Sequence, residues 1–161
     1  MKLSFSIICF FFIPVLYGQI TKTENLAMEY YKQGDFEKAM QIFEDVYKKK
    51  KVKSIYSKYV DCLIKTQEHK KAEKIIKSFY KKQKDPTILI DLGSLYFIQG
   101  KDDLATEKFT LAIQEAKKNT RFLASVASKF FKDKIYEFAL EAYQLAKKDS
   151  NRASYNIQIA N

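Results

Sequence analysis

Apolar residues recur along the chain at the four-then-three spacing of an amphipathic helix, in short blocks that break at regular intervals. Ala39, Phe43 and Val46 form one stripe; Tyr56, Tyr59, Val60 and Leu63 form the next, followed by Ala72, Ile76 and Phe79. Further along come Leu89, Leu92, Gly93 and Tyr96, then Ala105, Phe109 and Ala112, then Leu123, Val126, Ala127 and Phe130, then Tyr136, Ala139, Tyr143 and Ala146. The breaks fall at Gly34-Asp35, Gln67-Glu68, Asp85-Pro86, Gly100 and Asp133-Lys134. Gly34 can take the left-handed conformation that closes a helix, and Asp35 can cap the next one. The pattern predicts an all-α chain of helical hairpins, with helices over residues 22–33 and 36–50, a second hairpin from about residue 53 and a third opened by Asp85 as cap and Pro86 in the first turn.

The hairpins repeat. Ala39, Ala72, Ala105 and Ala139 are 33, 33 and 34 residues apart. The third unit carries Leu92-Gly93, Tyr96, Gly100, Ala105 and Phe109, and the first reads Tyr30-Tyr31-Lys32-Gln33-Gly34-Asp35-Phe36. This pattern resembles the tetratricopeptide repeat, a helical hairpin of about 34 residues marked by a Leu-Gly pair, a Tyr, a mid-unit Ala and a following aromatic. The resemblance implies an α-solenoid of four units, over residues 19–52, 53–85, 86–118 and 119–151. The second unit departs most, with Val60 at the small position, Gln67 at the hinge and His69 at the aromatic. Residues 152–161, with Tyr155, Ile157 and Ile159, read as the opening helix of a fifth unit or an imperfect cap.

Physical chemistry accounts for the recurring residue types. Ala27, Gly93 and Ala127 fall where two helices of a hairpin cross, and small side chains let the axes approach to roughly 8–10 Å. The mid-unit alanines do the same from the second helix, while aromatics fill the space between units. No hairpin buries its apolar face alone, so stability is shared between neighbours.

The N-terminus has another character. Lys2 precedes an apolar run over residues 3–16, and Tyr17-Gly18-Gln19 follows. One positive charge, a run too short to cross a bilayer and a small residue at its end predict a secretory signal peptide over residues 1–18, and hence a periplasmic or secreted protein. Cys9 would leave with it, so Cys62 has no internal disulfide partner and reads as a small buried hydrophobe.

The 161 residues carry a formal charge of +10, from 27 Lys and 2 Arg against 19 acids. The surplus lies mainly in residues 19–86, with 17 Lys against 10 acids. Such basicity suits nucleic acid or anionic lipid. However, Lys48 to Lys51, Lys81-Lys82, Lys117-Lys118 and Lys147-Lys148 fall at the predicted ends of second helices, where cations complement the helix dipole. Arg, the better fork for phosphate, is scarce. The balance speaks against nucleic acid and leaves peripheral contact with anionic membranes as a secondary reading.

Catalytic chemistry is not suggested. The single histidine, His69, stands where the repeat wants an aromatic, and Asp102-Asp103 opens a helix, where carboxylates stabilise the dipole. Zinc spacing, a glycine-rich phosphate loop and a Gly-x-Ser-x-Gly turn are all missing from the sequence, so no cofactor, metal or catalytic residue is expected. In the tetratricopeptide family the first helices line a groove that receives a peptide or helix, and the resemblance implies a non-enzymatic adaptor for a protein partner, within an envelope or secretion assembly. The groove positions are Met28 and Tyr31, Asp61 and Ile64, Ser94 and Phe97, Ser128 and Phe131, with Tyr31, Ile64, Phe97 and Phe131 as an apolar stripe at the repeat interval. Relatives that clamp chaperone C-terminal carboxylates use Lys, Asn and Arg on the first helices. The corresponding places here are Glu24, Met28, Lys58, Thr87 and Asp91, of which only Lys58 suits an anion. The alternative is a periplasmic sensor module of a longer signalling protein, a histidine kinase or transcription regulator.

Overall fold

The computed structural model describes residues 22–149, where every regular element is helical and no strand occurs. The described residues open on a helix over residues 22–33, α1. There follow α2 (Phe36–Lys49), α3 (Lys53–Lys65), α4 (His69–Gln83), α5 (Thr87–Ile98), α6 (Asp102–Lys118), a 3-10 turn over Thr120–Phe122, α7 (Leu123–Lys132) and α8 (Tyr136–Asp149). The expected signal peptide over residues 1–18 and the expected fifth opening helix over residues 152–161 lie outside the described residues.

Four turns share one backbone device. Gly34, Gln67, Gly100 and Lys134 have φ of 81°, 61°, 69° and 63°, at spacings of 33, 33 and 34 residues. At each, the left-handed residue donates its N–H three residues back, to Tyr31, Ile64, Phe97 and Phe131, and the next residue donates five back, to Tyr30, Leu63, Tyr96 and Phe130, at 2.8–3.2 Å. This is the Schellman closure, which satisfies the last carbonyls of the first helix and turns the chain into the second. Two of the four positions lack glycine, so the hinge geometry recurs where its preferred residue does not.

Helix starts follow the sequence closely. The Asp35 carboxylate accepts from the Lys38 N–H at 3.2 Å and caps α2. Asp85 Oδ1 accepts from the Thr87 N–H at 2.9 Å and the Thr87 hydroxyl at 2.8 Å, with Pro86 already helical at φ −59°. Two details differ from expectation. Helix α2 stops at Lys49, so Lys50 and Lys51 lie beyond the last turn. The fourth unit enters through the 3-10 turn, where the Ser125 hydroxyl donates to the Phe122 carbonyl at 2.8 Å, and α7 is correspondingly short at 10 residues.

The chain divides into two compact units, with the boundary between Lys71 and Ala72. In the first, the Tyr31 ring meets Phe36 and Phe43 edge-on at 5.6 and 6.5 Å, joining α1 to α2, and Tyr47 meets Tyr59 at 5.6 Å, joining α2 to α3. Ala27, Ala39, Phe43, Cys62 and Leu63 are fully buried. In the second unit, Gly93 of α5 lies against the Phe109 ring and the Ala105 carbonyl of α6. Phe109, Phe130 and Phe138 close a three-ring cluster at 5.2–5.6 Å that joins α6, α7 and α8. Burying a ring of this size contributes about 1.5–3 kcal/mol. Helix α5 buries Thr87 to Ile90, Leu92, Gly93, Leu95 and Tyr96, almost its whole circumference, and so reads as apolar all round rather than striped. The four repeat alanines, Ala39, Ala72, Ala105 and Ala139, are all buried.

Candidate functional site

The groove positions take different characters in the two units. In the first, Met28, Tyr31, Asp61 and Ile64 are all partly buried. The Tyr31 hydroxyl donates to Asp61 Oδ2 at 2.5 Å, tying α1 to α3. Burial and this hydrogen bond to a carboxylate push the Tyr31 phenol up to about 12. The Lys58 ammonium lies 4.2 Å from the centre of the Tyr31 ring, and Lys65 lies 4.8 Å from that of Phe36. Each geometry is a cation–π contact. Lys58, the one clamp position suited to an anion, is therefore already engaged by the aromatic face beside it.

In the second unit the apolar members point outward. Phe97 is 64% exposed and Phe131 47% exposed, with Ser94 and Ser128 one turn earlier on α5 and α7. Ile98, which sequence reasoning passed over, is 54% exposed. Its signal was available, since Ile98 falls outside the stripe of Leu89, Leu92, Gly93 and Tyr96 that the sequence assigns to this helix. Lys129 links the two first helices, 2.9 Å from Asp91 and 2.7 Å from Asp133. Burial lowers the pKa of this lysine, but the two carboxylates outweigh it and hold the ammonium above its ordinary value. Asp91 is thus committed to Lys129 and Thr87 to Asp85, so neither clamp position of α5 presents a free group to a carboxylate ligand.

Other reactive groups are quiet. Burial pushes the Cys62 thiol up to about 12, which leaves it protonated and inert at neutral pH. Among the described residues no three His, Cys, Asp or Glu side chains gather where they could hold a metal ion. No described helix is long and apolar enough to cross a membrane.

No protein-family model matches the sequence, and no curated protein matches it. Solved structures do. MamA from Desulfovibrio magneticus RS-1, taken from residue 41 to its end, superposes with a TM-score of 0.51 at 13% identity, covering 83% of this chain and 78% of that one. A crystal structure of MamA superposes at 0.51 with 14% identity, over 80% and 77% of the two chains. MamA is a protein of tetratricopeptide type. This chain has the tetratricopeptide-repeat fold. At such identities the likeness is one of fold, and it agrees with the four hinges and four buried alanines found at the repeat interval. The C-terminal part of a TPR repeat-containing protein from Cytophaga hutchinsonii superposes more loosely, at a TM-score of 0.44 and 17% identity over 76% of this chain and 50% of that one.

Proposed function

We propose that this tetratricopeptide protein is an exported, non-enzymatic adaptor that holds a segment of a protein partner on its first helices, within an envelope or secretion assembly. The observation that carries the reading is the pair Phe97 and Phe131, at equivalent places on α5 and α7, one open to water and the other half-exposed with its ring edge-on to Tyr136 at 5.7 Å, each one turn from a serine, Ser94 or Ser128. Large aromatics left in solvent at matching positions supply anchors for apolar side chains, and the serines leave room for a backbone to approach. Export rests on the charge-then-apolar pattern of residues 1–18.

The binding reading is tested by capture of a partner from an envelope extract by the full chain, with Phe97→Ser and Phe131→Ser as comparisons. A specific partner should lose about tenfold or more in affinity to the double variant while helicity is retained. Equal capture by both proteins would end this reading. Export is tested separately by fractionating cells and sequencing the N-terminus of the recovered protein; an unprocessed protein recovered with the cytoplasm would refute it.

A further inference from the structure

Helix α4 departs from the charge pattern of the other second helices. Helices α2, α6 and α8 open on Glu37, on Asp102 and Asp103, and on Glu137, and all three carry a pair of lysines in the last turn. Each is therefore charged in the sense that complements the helix dipole. Helix α4 has no acid in its first turn, where Lys70 and Lys71 stand instead, and its lysines continue through the middle of the helix. The dipole explains Lys81 and Lys82 in the last turn; it does not explain Lys74 and Lys77.

In the second compact unit Lys74, Lys77 and Lys81 keep the three-then-four spacing of one helix face, on the side opposite the buried stripe of Ala72, Ile76 and Phe79. Lys82 lies beside them and Lys84 just past the helix end, and all five are exposed. The exposed positions of α4 hold only Lys, Ser and Gln. Lys77 pairs with Glu73, which also accepts from the Tyr96 hydroxyl of α5 at 2.9 Å, and Lys84 lies 5.7 Å from the centre of the Tyr80 ring. No carboxylate among the described residues pairs with Lys74, Lys81 or Lys82. Residues 1–21 and 150–161 contain no Asp or Glu that could neutralise them. Like charges three and four apart weaken a helix, so the stripe is a cost that folding does not explain.

We infer that this face of α4 rests against the anionic headgroup layer of a lipid bilayer, as a peripheral contact that inserts nothing. A charged bilayer presents a continuous negative potential, which acts on every ammonium of a convex row at once. The discrete phosphates of a nucleic acid are gripped better by the planar fork of arginine, and its bases by exposed rings; α4 has neither an Arg nor an exposed aromatic. The face carries no exposed apolar side chain to enter the acyl region, so the attraction is electrostatic and fades with salt. The contact lies on a second helix and does not draw on the groove of the first helices.

Co-sedimentation of the full chain with vesicles tests the inference, comparing phosphatidylcholine that contains phosphatidylglycerol with phosphatidylcholine alone across a salt series. The anionic vesicles should bind the protein, and rising salt should release it. Each lysine near such a surface is worth about fivefold in partitioning, so the triple variant Lys74→Gln, Lys81→Gln, Lys82→Gln should lose about a hundredfold. Its melting temperature should match the parent's, since the three side chains are exposed. A control of equal charge, Lys32→Gln, Lys132→Gln, Lys134→Gln, should lose no more than about tenfold. The Phe97→Ser, Phe131→Ser protein should bind the vesicles unchanged, which separates this face from the groove. Equal losses in the two triple variants would overturn the inference in favour of net charge alone. Equal binding to the neutral vesicles would overturn it in favour of the apolar run over residues 3–16. A duplex oligonucleotide held by the parent and lost by the α4 variant, without vesicle binding, would overturn it in favour of nucleic acid, and absence of any binding would end it.

Discussion

The four left-handed hinges permit a direct measurement of what glycine is worth in this repeat. Gln67 and Lys134 hold φ of 61° and 63°, where a residue with a Cβ pays about 1–2 kcal/mol. Replacing either by glycine removes that strain but frees the unfolded chain, which gives back about 0.4–1 kcal/mol. The net expectation is a gain of about 0.5–1 kcal/mol for Gln67→Gly and again for Lys134→Gly. Both side chains are exposed, so little packing is lost. The reverse changes serve as controls. A Cβ added at Gly34 or Gly100 meets nothing within 4 Å, so Gly34→Ala and Gly100→Ala should lose about 0.5–1 kcal/mol through backbone strain alone. Urea titration followed by far-UV circular dichroism reads these differences, and each kcal/mol should move the melting temperature by about 2–4 °C. Because repeat arrays can unfold in parts, amide exchange at Glu68 and Ile135, the Schellman donors, should report which hairpin has changed. A loss of stability in Gln67→Gly and Lys134→Gly, or no loss in Gly100→Ala, would refute the reasoning.

Gly93→Ala would push a methyl into the Phe109 ring, with the Ala105 carbonyl at 3.1 Å, and should cost about 1–3 kcal/mol; Phe109→Leu in the same chain should recover part of it, and thermal melting decides. The Tyr31 phenol is held up to about 12 against an ordinary 10.0, so the folded chain keeps that proton more tightly than the unfolded one. Its contribution is complete below the unfolded value and is lost as pH rises through the folded one, so urea stability should fall between about pH 10 and 12 and fall less in Tyr31→Phe. Equal slopes would count against the Asp61 contact. Glu44 is held below its ordinary range chiefly by the hydrogen bond from Lys71, at 2.7 Å, so its contribution is present above 4.5 and is lost as pH falls through the folded value. Glu44→Gln should flatten that acid limb by about 0.2–1 kcal/mol, which denaturation at stepped pH would reveal.

The helical hairpins and their period were legible because they rest on local rules: apolar spacing, a small residue at each crossing and a turn residue at each hinge. Ala39, Ala72, Ala105 and Ala139 needed nothing more than counting, and Asp35 and Asp85 cap as their chemistry suggests. The site was legible only in part. Tyr31 and Phe97 occupy the same repeat position, yet one is drawn against Asp61 and the other is 64% exposed. At the repeat interval the place that Asp61 takes for Tyr31 is taken by Ser128 for Phe97, and no periodic reading of a single helix contains that difference. The Asp91–Lys129–Asp133 group escaped for a similar reason, since Asp91 and Lys129 are 38 residues apart and so off the repeat interval.

Sequence comparison and structure comparison part ways for this chain, and the hinges explain how. A repeat profile scores glycine at the turn, a small residue at the crossing and an aromatic after the hinge, and the second unit offers Gln67, Val60 and His69 instead. The structure does not need those identities. The turn at Gln67 is held by main-chain bonds to Ile64 and Leu63, at 3.0 and 2.8 Å, which any residue except proline can donate. Val60 remains 5% exposed where an alanine or glycine would be expected, accommodated in the core with Tyr56, Cys62 and Leu63 around it in sequence. A profile therefore loses the unit at three positions while the backbone loses nothing but a strain of about 1 kcal/mol at one of them. The same asymmetry bears on function. Positions that hold the fold can drift at small cost, so an outward residue such as Phe97, 64% exposed, is where selection for binding would have to act.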